Sequence, residues 1–339
     1  MVTIPSIASW ILLGKCNMKC AHCYPESSAD YSGKVLTVEQ QFESISKLAE
    51  AEMKMICLSG GEAFILPHLF GLIKSIRAHG MRVWISSNGS LIDEKIAAKL
   101  AAANIDGISI SLDSAEEIIH DDFRKFKGAY QRAISAVKHL VDYGVTVGLD
   151  HMATSVNGPN IANIVELADR LGVDSIFLKR FRPIGRGSKN MAELSLQIND
   201  YKSLIENFFM AAQGRNVQAR TEDPAAIAYM KRIGKQDLIP NGLTKAVGCF
   251  AGIAWIGIQP NGDITPCPLL DVPIGNILHS NLKQLISDSP LIKTLQNRDE
   301  RGGECGSCDM RENCGGCRAH AYSLTNDVTA EDPYCAYAK

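Results

Sequence analysis

The sequence predicts an α/β fold, a parallel sheet with helical crossovers followed by a smaller cysteine-rich region. Three observations carry this. Up to about Val173, short apolar runs alternate with amphipathic stretches in strand–crossover–strand units, which feed parallel sheets with right-handed connections. The eleven cysteines are unevenly placed: three crowd near the start, seven lie between 249 and 335, and only Cys57 falls between. A length of 339 residues allows one large domain plus a smaller one.

In order, the expected strands are residues 9–13, 55–59, 82–86, 107–112, 146–151 and 175–180. The expected helices between them are 38–51, 68–78, 94–102, 130–143 and 160–171. Thr37 has the side chain of an N-cap. His79-Gly80 and Tyr143-Gly144 read as helix C-termini, where glycine accepts the left-handed cap. Helical patterns at 200–212 and 224–233 suggest a bridge between two domains, with no chemistry assigned to it. Pro260-Asn261-Gly262-Asp263 reads as a tight turn between two short strands.

Hydrophobic content of 46% and charged content of 21% are ordinary for a soluble globular protein. A net charge of −2 supplies no electrostatic reason for a nucleic-acid or anionic-membrane partner. No apolar run reaches the ~18 residues of a membrane span, and no basic-then-apolar signal opens the chain. Disulfide scaffolds are small and secreted, so clustered cysteines in a longer chain favour metal sites and a cytoplasmic location.

The cysteines in Gly14-Lys-Cys-Asn-Met-Lys-Cys-Ala-His-Cys-Tyr24 are spaced C-x3-C-x2-C. Thiolates gathered this tightly favour zinc or an iron–sulfur cluster. Closed structural zinc sites and electron-transfer cubanes want four protein ligands. Three cysteines, Cys16, Cys20 and Cys23, leave one iron open to a small molecule. This loop resembles the signature of the radical S-adenosylmethionine (SAM) superfamily, with His22 at its aromatic position. The resemblance implies a partial (β/α)6 TIM-like barrel with its chemistry at the C-terminal ends of the strands. It also implies that SAM chelates the open iron and yields a 5′-deoxyadenosyl radical that takes a substrate hydrogen.

Other segments fit the same resemblance. Ser59-Gly60-Gly61-Glu62 resembles the family's G-G-E motif, with Glu62 on the SAM amino group and the glycines allowing close backbone approach. Ser86-Ser87-Asn88-Gly89 and Ser109-Ile110-Ser111-Leu112-Asp113-Ser114 resemble segments that contact ribose and carboxylate, through Asn88 and Ser111. The alternatives are a simple turn and a helix cap at Asp113. Lys179–Lys189 carries five cations, either a solvated face or an anion site, with Arg180 as the expected SAM contact. Cys57, within an apolar strand, reads as a buried inert thiol.

From Cys249 the texture changes. Cys305-x2-Cys308-x5-Cys314-x2-Cys317 alone suggests a zinc ribbon, although the central gap is short for one. With Cys249, Cys267 and Cys335 the order resembles the SPASM domain, with Cys314-Gly315-Gly316-Cys317 one residue short of the pattern. That resemblance implies two auxiliary [4Fe–4S] clusters. One would be closed by Cys305, Cys308, Cys314 and Cys335. The other would be held by Cys249, Cys267 and Cys317, without a fourth cysteine. Where sulfatase-maturing relatives place a basic aspartate, this chain has Pro268, and the nearest acid is Asp271.

The expected division is therefore 1–185 for the barrel, 186–245 for the bridge and 246–339 for the SPASM region. The expected activity is radical SAM oxidation of a ribosomal peptide or protein side chain. A ferredoxin- or flavodoxin-type reductant would supply electrons, with a separate peptide-recognition protein or direct docking. The alternative substrate is a tetrapyrrole whose propionates are decarboxylated or trimmed. A multi-cluster electron carrier or a zinc-stabilised binding module is the non-enzyme alternative.

Overall fold

The computed structural model describes residues 2–240 and 248–337. The expected boundary at 245/246 lies outside the described residues. Strands β1 (Ile7–Ile11), β2 (Met55–Ser59), β3 (Arg82–Ser87), β4 (Gly107–Ser111), β5 (Val147–Ala153) and β6 (Ser175–Arg180) lie side by side in chain order. All their pairings are parallel. Helices α1 (Val38–Glu50), α2 (Leu69–Ala78), α3 (Glu94–Ala102), α4 (Glu117–Arg124), α5 (Ala129–Asp142) and α6 (Ile161–Arg170) make the crossovers.

Local chemistry sets these limits. Thr37 and Gln40 form a reciprocal capping box at the start of α1. Asp93 caps α3 through the Ile96 amide. Gly80 and Gly144, at φ of 76° and 69°, take the left-handed turns that end α2 and α5. The first strand runs 7–11 rather than 9–13, because the chain turns toward the cysteine loop after pairing Leu12 with Ser59.

Strand residues alternate between two faces. Ala8, Trp10, Ile56, Leu58, Val83, Ile85, Ile108 and Ile110 are fully buried beneath the helices. Burial of each Ile, Leu or Val among them contributes about 1.5–3 kcal/mol. The opposite parity faces inward: Trp84 donates to Ser109 Oγ at 3.0 Å, and its ring meets Phe177 edge-on at 6.5 Å. In a flat sheet β3 and β6 would stand about 14 Å apart. The sheet is therefore curled into a partial barrel with a polar lumen.

The bridging segment is more than helical. After two one-turn helices, α7 (Arg186–Lys189) and α8 (Met191–Leu194), and the longer α9 (Ile198–Ala211), it supplies β7 (Gln218–Thr221), parallel to β6. Helix α10 (Pro224–Arg232) follows. At the other edge β8 (Trp255–Ile258) runs parallel to β1, joined to antiparallel β9 (Asp263–Thr265) and β10 (Gly275–Asn276). The turn between β8 and β9 passes through Gly262 at φ 89°. The cysteine-rich region thus continues the barrel's own ten-stranded sheet. Among the described residues, no helix is long and apolar enough to cross a membrane.

Candidate active site at the mouth of the barrel

The first cysteine loop follows β1 and sits over the C-terminal strand ends. Cys16 and Cys20 are buried and Cys23 is partly buried. Donors converge on their sulfurs: the Met18 amide on Cys16 at 3.4 Å, Asn88 Nδ2 on Cys16 at 3.8 Å, and Arg124 on Cys20 at 3.7 Å. Such donors stabilise thiolates bound to iron. Burial pushes the Cys16 thiol up to about 12, so ligation must drive its deprotonation.

The Gly60-Gly61-Glu62 turn lies directly beneath this loop. Gly61 N donates to Leu13 O at 2.7 Å and Glu62 N to Lys15 O at 3.0 Å. A Cβ at Gly61 would land on the Lys15 carbonyl, which explains the glycine. Glu62 is 1% exposed and accepts from Phe64 N at 3.1 Å, Ser87 Oγ at 2.9 Å and Asn88 N at 2.8 Å. A carboxylate has about four acceptor sites, so one is left for a further donor such as an ammonium. Asn88 also donates to Asn17 Oδ1 at 2.9 Å, and Asn17 donates to Ser90 Oγ at 2.8 Å, tying the β3 end to the cysteine loop.

His22 stacks on Phe123 of α4, with centroids 4.5 Å apart and planes 12° apart. Its Nδ1 is buried without a protein partner among the described residues. Burial, reinforced by Arg124, lowers its pKa to about 3, keeping the ring neutral. Asp113 is not a helix cap. It is fully buried and gripped by Arg124 at 2.5 Å, and it also accepts the Met152 amide at 3.0 Å. Helix α4, absent from the sequence expectations, supplies Arg124, Phe123 and His120 together. Ser111 ends β4 on the lumen side, opposite Asp150.

Arg180 does not stand where the sequence reading put it. It is 2% exposed on the outer face of β6, held by Asp332 at 2.7 Å, Asp223 at 3.3 Å and the Tyr334 carbonyl at 2.6 Å. Strand alternation turns its neighbour Lys179 into the lumen instead, where it pairs with Asp150 at 2.7 Å. Tyr24 lies among Lys179, Ser59, Cys23 and Cys267, between the two cysteine regions. Cys57 also faces the lumen, and burial pushes its thiol up to about 12.

The rest of the basic segment is not a free anion site either. Arg186 donates to the Cys20 and Ser27 carbonyls at 2.8 Å each, Asn190 donates to the Ala21 carbonyl, and Lys189 pairs with Glu26 at 2.7 Å. Gly185, at φ 56°, lies so close to Tyr24 that a Cβ would strike its carbonyl. The segment clamps the cysteine loop to the end of β6.

In the C-terminal region, Cys305, Cys308, Cys314 and Cys335 line one cavity together with Gly315 and Gly316. The Met310 amide donates to Cys308 at 3.3 Å and the Asp332 amide to Cys305 at 3.3 Å. Cys249 and Cys317 are the thiols that bear on Cys267. Arg182 Nε donates to Cys317 Sγ at 2.9 Å. Among the described residues, no three His, Cys, Asp or Glu side chains form a group that could hold a single metal ion. Pro268 packs on Gly257 of β8, and Asp271 is exposed, so no acid stands directly after Cys267.

A thiol triplet over strand ends, a glycine pair beneath it and a second thiol set on the same sheet define a class. Residues 10–171 match the model of the radical SAM superfamily, and 249–309 that of the SPASM iron–sulfur cluster-binding domain. The chain belongs to the radical SAM enzymes that carry a SPASM domain, and its cofactors are SAM and iron–sulfur clusters.

Among particular relatives, an AdoMet-dependent heme synthase of Methanosarcina barkeri is 29% identical, spanning 99% of this chain and 98% of the relative. A pre-heme d1 synthase of Dinoroseobacter shibae is 29% identical over 97% and 85%. A mycofactocin maturase of Mycobacterium tuberculosis is 28% identical over 98% and 83%. Streptococcus suis SuiB bound to S-adenosylmethionine shares the fold, with TM-score 0.78, 16% identity, and 98% and 77% of the two chains covered. So does anSMEcpe with bound AdoMet and a peptide, with TM-score 0.74, 19% identity, and 98% and 95% covered.

Proposed function

We propose that this chain oxidises a substrate seated in the barrel lumen, and that the substrate is a tetrapyrrole bearing propionate side chains. Three [4Fe–4S] clusters serve the reaction, on Cys16/Cys20/Cys23, on Cys249/Cys267/Cys317 and on Cys305/Cys308/Cys314/Cys335. Bound SAM and the first cluster supply the 5′-deoxyadenosyl radical. Glu62 holds the SAM amino group with its remaining acceptor site, and the glycine pair beside it lets the cofactor approach the backbone. Asn88 and Ser111 lie along the strand ends for its ribose and carboxylate, and His22 bounds the pocket with its neutral ring. Lys179 presents a cation in the lumen to a substrate carboxylate, with Asp150 orienting it.

The observation that supports the tetrapyrrole reading most is the heme-synthase alignment, which runs nearly the whole length of both chains. A peptide side chain is the second reading, favoured by the mycofactocin-maturase similarity over 98% of this chain. Anaerobically reconstituted enzyme is incubated with SAM, dithionite and iron-coproporphyrin. A shifted Soret band, 5′-deoxyadenosine and a product lighter by carbon dioxide and two hydrogens for each propionate oxidised are expected. An unchanged porphyrin with intact SAM cleavage would move the assignment to a peptide.

A further inference from the structure

Each cysteine set has one arginine against one sulfur, but the three arginines are not equivalent. Arg124 reaches Cys20 at 3.7 Å while Asp113 holds the same guanidinium at 2.5 Å, so the charge beside the first site is offset. Arg318 reaches Cys305 at 3.7 Å from a helix start, with its other donors on the carbonyls of Gly316, Val328 and Ala330. Arg182 is the closest of the three: its Nε lies 2.9 Å from Cys317 Sγ, and Nη1 goes to the Arg180 carbonyl at 3.1 Å. Among the described residues no carboxylate forms an ion pair with Arg182. Asp223 and Asp332 both pair with Arg180, Asp332 also accepts the Cys317 amide at 2.9 Å, and Asp223 acts on Arg182 as well. Within this charge cluster, Arg182 is the cation that donates directly to the Cys317 sulfur.

We propose that Arg182, through its contact with Cys317, raises the reduction potential of the auxiliary cluster on Cys249, Cys267 and Cys317 and so makes it the electron acceptor of the reaction. A positive charge against a ligand sulfur favours the reduced, more negative state of a cluster. The first site has the opposite requirement. It must reduce a sulfonium, and Asp113 cancels the arginine that touches it. The arginine contact is closer on Cys317, at 2.9 Å, than on Cys20, at 3.7 Å. The electron count closes. After hydrogen abstraction the substrate radical must lose one electron to become a closed-shell product, together with carbon dioxide from a propionate carboxylate or a proton from a peptide side chain. A cluster on Cys249, Cys267 and Cys317, beside Arg182, would supply a one-electron acceptor for it. Arg182 acts through Cys317 and touches no substrate, so it is a positioning residue. The inference rests on the cluster assignment above, not on which substrate is used.

The test is an EPR-monitored potentiometric titration of reconstituted protein, needing no substrate. Cys16, Cys20 and Cys23 are first changed to Ala together, leaving only auxiliary signals. In that background Arg182→Gln is expected to move one auxiliary midpoint to more negative potential and leave the other in place. Arg182→Lys, which keeps the charge, should return much of the shift. Two unchanged midpoints with full iron content would overturn the proposal. If Arg182→Gln loses iron, Arg182→Lys and the unaltered protein decide. Loss of iron in both variants would make Arg182 a structural residue only. Wild-type auxiliary midpoints both lying below that of the SAM-responsive cluster would likewise reject it. None of these results depends on whether iron-coproporphyrin or a peptide is the substrate.

Discussion

Arg124 and Asp113 form a buried ion pair at 2.5 Å beneath the first cysteine loop, with side-chain exposures of 8% and 0%. The two residues are eleven apart in sequence, Asp113 after β4 and Arg124 at the end of α4. Arg124 then reaches Cys20 on the far side of the loop. The pair therefore fixes the floor on which the first site rests, and its loss should be felt in both stability and iron retention.

Asp113→Asn keeps the shape but leaves a guanidinium buried without its counter-charge. Breaking a buried pair on one side costs about 3–5 kcal/mol. The expected result is a large fall in thermal midpoint together with selective loss of iron from the Cys16/Cys20/Cys23 site. Differential scanning calorimetry and iron analysis of the reconstituted variant measure both. A variant with unchanged melting would show that Arg124 finds another partner.

The same pair predicts a pH profile. Burial opposes the charge on Asp113, but Arg124 and the nearby imidazoles outweigh it and lower the pKa from 3.8 to about 2. A depressed carboxyl stabilises the fold above its unfolded value, and that contribution is lost as pH falls through the folded value. The difference in thermal midpoint between wild type and Asp113→Asn should thus stay flat from neutral pH down to about 4. It should shrink only between roughly 4 and 2. A gap that closes already near neutrality would assign the titration to another group.

Glu62 is held by three protein donors and has one acceptor site to spare. Glu62→Gln keeps the volume but removes the charge, worth about 1.5–3 kcal/mol in a charge-assisted hydrogen bond. SAM affinity of the reconstituted enzyme should fall roughly ten- to a hundred-fold by isothermal titration. Iron content should stay unchanged, because Glu62 touches no cysteine sulfur. An unaltered affinity would remove Glu62 from the SAM site.

How much of this was legible depended on how local the chemistry was. The cysteine loop and the glycine pair each pack their function into consecutive residues, so spacing alone exposed them. The six strands of the barrel showed through because buried strands are apolar on one parity and are separated by capped helices. Arg180 was misplaced for the opposite reason. Lys179 and Arg180 are adjacent and both basic, yet the pleat sends one into the lumen and the other outward. Counting parity from Ile176 and Leu178, both fully buried, would have put Arg180 outside with them. Arg124 was invisible because its meaning lies 104 residues away, at Cys20. Strand β7 was missed because Gln-Ala-Arg-Thr is an edge strand with polar residues on one face.

Gly61 offers the sharpest separation between the two halves of the molecule. A methyl group there meets the Lys15 carbonyl of the cysteine-loop backbone and then the Cys16 Cβ, the side-chain atom fixed directly to that backbone, so no flexible side-chain end is there to yield. The loop must lift, taking Cys16 away from Cys20 and Cys23. None of the C-terminal cysteines is among the atoms that a methyl group at Gly61 would meet. Gly61→Ala should therefore lose the iron of one [4Fe–4S] site while keeping that of the auxiliary sites. Its EPR spectrum should lack the component that responds to SAM, and 5′-deoxyadenosine formation should fall to background. Full iron content with a normal SAM response would mean that the loop tolerates the methyl group and that the close approach of Gly61 to Lys15 is not what seats the first cluster.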